Sequence, residues 1–111
     1  GMDSPGLTSV GAGRSSAAGA YDPARDRIVM YSLTTCGYCA AKRQEFDAAG
    51  MTYSEYFVDQ DQGAAQALNE KLLASGHRGG GVGTPIVEVN GVLLPNNPPM
   101  EAISRHFHGA T

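Results

Sequence analysis

The two cysteines of the chain, Cys36 and Cys39, are separated by two residues and are the side chains best suited to chemistry. A short apolar run precedes them and a helical pattern follows them, and a Cys-x-x-Cys pair placed between a strand and a helix is typical of a redox motif. A helix that begins at Cys36 would direct unpaired N–H groups and the positive end of its dipole at that sulfur, which favours the thiolate. We therefore predict that Cys36 is the nucleophile and that Cys39, one turn further on, is the buried cysteine that resolves a mixed disulfide.

Two other uses of a cysteine pair at this spacing fit the sequence less well. Zinc takes about four ligands, and the three histidines, His77, His106 and His108, do not follow a common finger spacing. A purely structural disulfide is weaker still, because so short a loop removes little chain entropy. We therefore favour redox chemistry and predict no bound metal.

Length, composition and charge set further bounds. A chain of 111 residues has room for one domain. Its net charge of −3 provides no basic footprint for nucleic acid. No stretch approaches the roughly 18 apolar residues of a membrane span. We expect a monomer that binds no nucleic acid and has no membrane span.

The first part of the chain differs in composition from the rest. Residues 1–24 are rich in Gly, Ser and Ala and have no periodicity, which predicts a flexible arm followed by a folded domain over residues 25–111. The first twenty residues contain no apolar core of a signal peptide, so we expect a cytoplasmic protein. A periplasmic location is the alternative if a signal segment was trimmed from the chain.

The elements that must position the cysteines begin with a strand, a helix and a second strand. Residues 28–32 are apolar on both sides of the pleat, which predicts a central strand buried on both faces. The helix after Cys36 ends before Gly50, a natural C′ residue. Residues 52–58 alternate and predict a second strand, parallel to the first.

A second helix and a hairpin follow. Asp59 or Asp61 could cap the helix, which ends near Gly76, and residues 77–83 hold four glycines that predict a loop. Two short apolar runs around Asn90-Gly91 predict a hairpin with a type I′ turn. The element order is therefore β-α-β-α-β-β-α.

The last helix and several charged residues complete the prediction. Pro98-Pro99 starts the helix, with Asn97 as the candidate cap. Lys42 and Arg43 could stabilise a thiolate, but we favour a solvated helix face for both. We expect His106 and His108 to be exposed without a partner. The predicted core includes Phe46, Leu68, Leu72, Ile103 and Phe107.

Gly83-Thr84-Pro85 stands immediately before the hairpin. With the cysteine motif and the element order, it makes residues 27–108 resemble a glutaredoxin, an α/β protein of the thioredoxin-like fold: a three-layer sandwich around a four-stranded mixed sheet. The resemblance implies a cis proline at Pro85 beside the catalytic cysteine. It also implies that Thr84 pairs its backbone with the bound thiol substrate, and Tyr38 is a further candidate for substrate binding.

Some details resemble another branch of the same fold. Cys36-Gly37-Tyr38-Cys39, Gly83-Thr84-Pro85 and the run from Leu94 to Pro99 are similar to the catalytic domain of bacterial periplasmic disulfide isomerases. The chain is too short to contain the dimerisation domain or the helical insertion of that family. A disulfide isomerase-like protein is therefore one alternative function.

The resemblance implies a thiol–disulfide oxidoreductase that acts on a protein disulfide or a glutathione mixed disulfide, with no bound cofactor and with glutathione or a reductase as the electron donor. Two departures from the glutaredoxin pattern predict that this protein uses glutathione poorly. Leu33 stands where glutaredoxins usually carry a lysine, and residues 95–98 replace a Gly-Gly pair and an acidic residue. The rivals are an iron–sulfur glutaredoxin-like protein, which holds a cluster between two subunits, and a redox-inactive binding module.

Overall fold

The computed structural model describes residues 20–77 and 82–110. Its strands and helices confirm the predicted order. They are β1 (Ile28–Ser32), α1 (Gly37–Ala48), β2 (Ser54–Phe57), α2 (Gln62–Ala74), β3 (Ile86–Val89), β4 (Val92–Leu94) and α3 (Met100–Ser104). None of the helices in the described ranges is long and apolar enough to cross a membrane.

The four strands form one mixed sheet in the order β2-β1-β3-β4. β1 pairs in parallel with β2 and antiparallel with β3, and β3 pairs antiparallel with β4. Phe46 of α1 and Ile103 of α3 pack on one face of the sheet, and Leu68 and Leu72 of α2 pack on the other. The protein is therefore the predicted three-layer α/β sandwich of thioredoxin-like type.

Strand β1 lies at the centre of both cores, as its sequence predicts. Ile28 and Met30 face the layer of α1 and α3, whereas Tyr31 faces α2. Because β1 ends at the fully buried Ser32, only three residues separate the core from Cys36. The rigid centre of the sheet thus positions the redox motif.

The start of β2 and the start of the domain are linked. β2 begins at Ser54 rather than at Thr52 as predicted, because the Thr52 N–H donates to the hydroxyl of Tyr21 (3.1 Å) instead of to a strand. The Tyr21 ring packs on Phe107, with ring centroids 5.4 Å apart. Ala20 and Tyr21, assigned by prediction to the arm, therefore pack against the core, and residues 1–19 of that arm lie outside the described residues.

The predicted hairpin turn and the predicted end of α1 both contain residues with positive φ. Asn90 (φ 51°) and Gly91 (φ 87°) form the hairpin turn, as expected for a type I′ turn. Gly50 (φ 72°) follows the end of α1. Residues 78–81 of the predicted glycine-rich loop, which include Arg78, lie outside the described residues.

The predicted cap of the last helix is wrong. Pro99 occupies the N-cap position of α3 and makes no side-chain cap hydrogen bond. Asn97 instead has a φ of 53°, and its N–H donates to the carbonyl of Pro85 (2.9 Å). The residue before a proline is disfavoured in the helical region, so Pro98 and Pro99 keep residues 97 and 98 out of the helix, which starts at Met100.

The predicted solvated face of α1 is wrong for Lys42 and Arg43. Lys42 is only 3% exposed, because it lies three residues after Cys39 and four before Phe46, on the stripe that faces the core. Its ammonium reaches the half-exposed Glu45 (2.7 Å). Arg43 donates two hydrogen bonds to Glu55, at 2.8 and 2.7 Å.

The expectation that His108 has no partner is also wrong. Its backbone N–H donates to Oδ1 of Asp26 (2.8 Å), and its Nδ1 lies 2.6 Å from the same oxygen. The His108 side chain is nevertheless about half exposed. The chain segment after α3 is thereby joined to the residues that lead into β1.

Candidate active site

Cys36 is the N-cap residue of α1. Its own N–H donates to the carbonyl of Leu33 (3.2 Å), which closes the turn that follows β1. Its sulfur accepts a hydrogen bond from the N–H of Cys39 (3.1 Å), one of the free donors of the first helical turn. The predicted helix start at Cys36 is confirmed, and the sulfur lies at the positive end of the helix dipole.

The two cysteines are joined in a disulfide bond, with their Cα atoms 5.2 Å apart. Cys39 is fully buried, whereas Cys36 is partly exposed and lines the cleft beside the motif. A substrate in that cleft can therefore reach the sulfur of Cys36 before that of Cys39.

The Thr84–Pro85 segment lies against the sulfur of Cys36. The peptide bond between Thr84 and Pro85 is cis, as predicted. The hydroxyl of Thr84 donates to the Cys36 sulfur (3.3 Å), and Pro85 is buried. Within residues 20–77 and 82–110, neither the N–H nor the carbonyl of Thr84 forms a backbone hydrogen bond. Both groups therefore lack a backbone partner within the described part of the chain.

The cleft beside the disulfide has a volume of about 580 Å³. Tyr38 stands at its rim and is 70% exposed. None of the described lining residues carries a formal charge: Leu33, Thr35, Cys36, Gly37, Tyr38, Gly83, Thr84, Asn96 and Asn97. The predicted site residues Cys36, Tyr38 and Thr84 thus meet in one neutral cleft.

Two asparagines form the wall of the cleft opposite the motif, and their pairing was not predicted. The Asn96 N–H donates to the carbonyl of Gly83 (2.9 Å), and the Gly83 N–H donates back to Oδ1 of Asn96 (2.6 Å). Asn96 and Asn97 both adopt left-handed conformations, with φ of 64° and 53°. Asn97 Oδ1 is buried and has no hydrogen-bond partner in the described part of the chain. The sequence indicates this pairing only through the position of the two asparagines between Pro95 and Pro98.

The two basic residues of α1, Lys42 and Arg43, are paired with Glu45 and Glu55 and are not among the described residues that line the cleft. The hydrogen bonds from Arg43 hold the pKa of Glu55 below its ordinary value, and the same bonds raise the pKa of Arg43. The buried Ser32 hydroxyl also donates to Glu55 (2.7 Å). Arg43 is therefore engaged at the sheet and does not face the cleft.

Asp59 and Asp61 make different contacts, although the sequence left open which of them caps α2. Asp61 caps α2 by accepting the N–H of Ala64 (3.0 Å). Asp59 instead accepts hydrogen bonds from Thr34, two residues before Cys36. The hydrogen bond from the Thr34 hydroxyl is the main cause that holds the pKa of Asp59 below its ordinary value.

Comparison with known proteins agrees with this geometry. The model of one protein family, Glutaredoxin, matches residues 28–94. Neither a search of curated proteins nor a search of solved structures gave a match. The matched region contains the cysteine pair and all four strands, and it supports a thiol–disulfide oxidoreductase activity. The chain belongs to the glutaredoxin family.

Proposed function

We propose that this protein catalyses thiol–disulfide exchange on disulfides of other proteins, with Cys36 as the nucleophile and Cys39 as the resolving cysteine. The observation that carries this proposal is the asymmetry of the pair. The Cys36 sulfur caps α1, accepts two hydrogen bonds and lines the cleft, while Cys39 is buried behind it. Hydrogen bonds to a sulfur and a helix N-terminus both lower the pKa of a thiol.

The reduced protein would act in two exchange steps. The Cys36 thiolate attacks one sulfur of the substrate disulfide, forms a mixed disulfide and releases the other substrate sulfur as a thiolate that takes up a proton. The Cys39 thiol then loses its proton and attacks the Cys36 sulfur, which releases the second substrate thiolate. The substrate gains two electrons, and the protein is left with the Cys36–Cys39 disulfide.

The substrate would lie in the cleft between Tyr38 and Thr84. The backbone N–H and carbonyl of Thr84, which have no backbone partner among the described residues, would pair with an extended chain next to the substrate cysteine. The ring of Tyr38 offers an exposed apolar surface at the rim.

We further propose that glutathione is a poor reductant for this protein. Glutaredoxins use backbone amides and an acidic residue at the level of residues 95–98 to hold the γ-glutamyl end. Here the two prolines have no N–H, and the amides of Asn96 and Asn97 already donate to Gly83 and Pro85. Each lost charge-assisted hydrogen bond is worth roughly 1.5–3 kcal/mol, so two losses would weaken binding by orders of magnitude.

No basic side chain among the described lining residues replaces those contacts. Lys42, Arg43 and Arg78 are the candidates from the sequence for contact with a glutathione carboxylate, and Arg78 lies outside the described residues. Lys42 is buried against Glu45, and Arg43 is paired with Glu55. The electron donor is therefore more consistent with a protein thiol or a reductase.

The test is insulin reduction with dithiothreitol, run beside a glutathione-coupled assay on a small mixed disulfide. We expect insulin reduction, little turnover at low millimolar glutathione, and no activity in Cys36→Ser. Cys39→Ser should retain attack and accumulate a mixed disulfide with its substrate. Saturable turnover with glutathione and no insulin reduction would overturn the proposed substrate class. Exchange by Cys36→Ser would overturn the assignment of the nucleophile.

A further inference from the structure

The carboxylate of Asp59 joins the turn that follows β1 to the turn that follows β2. The Thr34 N–H lies 3.2 Å from each carboxylate oxygen of Asp59, and the Thr34 hydroxyl donates to Oδ2 at 2.6 Å. Both hydrogen-bond donors of Thr34 therefore end on a single side chain, 25 residues further along the chain.

Asp59 is itself held firmly relative to β1. The N–H of Val58 donates to the carbonyl of Ser32 (2.9 Å), which extends the β1–β2 ladder to the residue before Asp59. The N–H groups of Gln60 and Asp61 both donate to the carbonyl of Phe57, at 3.0 and 2.9 Å. The carboxylate thus projects from a closed turn whose position is set by the centre of the sheet.

The turn that Asp59 holds determines how Cys36 enters α1. Only Leu33, Thr34 and Thr35 lie between the buried Ser32 and Cys36. The Leu33 carbonyl accepts the Cys36 N–H, and Cys36 keeps the extended conformation of an N-cap residue (φ −93°, ψ 113°). Its sulfur meets the Cys39 N–H only in that conformation, because an N-cap side chain must fold back over the first helical turn.

We propose that Asp59 is a positioning residue for Cys36, which anchors the Thr34 turn so that the sulfur is held against the helix N-terminus. The proposal rests on the proposed function only in assuming that Cys36 reacts as a thiolate. Asp59 is not among the described residues that line the cleft, and the hydrogen bonds to the Cys36 sulfur come from Cys39 and Thr84, so Asp59 acts through Thr34. The hydrogen bonds from Thr34 hold the pKa of Asp59 below its ordinary value, so the carboxylate is ionised near neutral pH.

The charge and the anchoring contacts of Asp59 have opposite effects on Cys36. A nearby negative charge disfavours the thiolate, whereas a well-positioned N-cap sulfur favours it. Asp59→Asn removes the charge but keeps one acceptor oxygen for Thr34. Asp59→Ala removes the charge and both acceptors. A slower reaction of Cys36 in the alanine variant than in the asparagine variant therefore cannot come from the lost charge, and a control variant separates the lost anchor from a general loss of stability.

The experiment measures alkylation of Cys36 by iodoacetamide in the full chain carrying Cys39→Ser, so that one thiol is present, over about pH 4 to pH 9. We expect the pH profile of Asp59→Ala to be displaced upward relative to that of Asp59→Asn, so that at pH values below the midpoint of the Asp59→Asn profile the alanine variant reacts at least about threefold more slowly. Asp61→Ala is the matched control. Asp61 lies in the same turn and caps α2, whereas the side-chain acceptor for the N–H and hydroxyl of Thr34 is Asp59.

The outcomes separate positioning from general stability. Alkylation of Asp61→Ala at the wild-type rate, with lower thermal stability, would agree with the proposal. Equal rates in Asp59→Ala and Asp59→Asn would overturn it, and so would an equal slowing in Asp61→Ala. The assay contains no disulfide substrate, so a failure of insulin reduction by the unsubstituted protein would overturn the proposed function without changing this result.

Discussion

Replacement of Asp26 by asparagine tests the buried carboxylate that joins the two ends of the domain. The Asp26 side chain is fully buried and accepts hydrogen bonds from the backbone N–H groups of Asp22 and His108 and from the amide of Asn90. Burial by itself would raise the pKa of Asp26, but these hydrogen bonds together lower it from 3.8 to about 2. The ionised form is therefore favoured by the folded state.

The sign and size of the effect follow from linkage. A pKa that is lower in the folded state stabilises the protein above the unfolded value, and this contribution is lost as the pH falls through the folded value. The window therefore runs from about pH 4 down to about pH 2. At roughly 1.4 kcal/mol for each pH unit, the lowered pKa corresponds to about 2 kcal/mol of unfolding free energy.

The assay is urea unfolding of the wild-type protein and of Asp26→Asn at several pH values between about 7 and 2. We expect Asp26→Asn to be less stable by about 2 kcal/mol at neutral pH, because the amide cannot accept all the donors that surround the carboxylate. The deficit should shrink as the wild-type carboxylate becomes protonated. Other acidic groups titrate in both proteins, so the difference isolates Asp26. A deficit that stays constant down to pH 2 would refute the reasoning.

Three further changes in stability can be measured by the same urea unfolding. Arg43→Ala leaves the mostly buried Glu55 with the Ser32 hydroxyl as its remaining side-chain donor and should cost about 1.5–3 kcal/mol. Arg43→Ala combined with Glu55→Gln should recover part of this loss, and full additivity would contradict the pairing. Asn90→Ala loses hydrogen bonds to Arg27, Asp26 and His106 and places alanine at positive φ. We therefore expect the unfolding free energy to fall by about 2 kcal/mol or more. A fall of less than about 0.5 kcal/mol would contradict this prediction. Lys42→Met keeps the buried stem of the side chain and removes the ammonium, so the unfolding free energy should change by less than about 1 kcal/mol. A larger fall would show that the ion pair with Glu45 stabilises the fold.

Local chemistry in the sequence determined the redox motif and the order of elements. Cys36 and Cys39 stand between an apolar run and a helical pattern, and both signals depend on residues close together in the chain. Asn90-Gly91 has the backbone preference of its turn and needs no distant contact to adopt it. The cis bond at Pro85 was predicted too, but from the resemblance to glutaredoxins rather than from the residues themselves. The substrate roles of Tyr38, Thr84 and Pro85 stay predictions.

Tertiary structure decided which polar group meets which. Asp59 and Asp61 are equivalent as caps in the sequence, but only Asp59 lies within reach of Thr34 once β1 and β2 have paired. Lys42 is buried because α1 turns its stripe of Cys39 and Phe46 towards the sheet, a direction that charge alone does not indicate.

The longest-range pairing shows the physical reason most clearly. Asp26 and His108 are 82 residues apart, yet the backbone N–H and the Nδ1 atom of His108 both contact Oδ1 of Asp26. They meet because the entry to β1 and the exit of α3 lie at the same end of the sheet. The Asn96 and Asn97 amides are likewise engaged by Gly83 and Pro85 across the base of the hairpin. Hydrophobic periodicity specifies which face of an element is buried, but a hydrogen bond needs two atoms within about 3 Å. That distance exists only after the elements have packed.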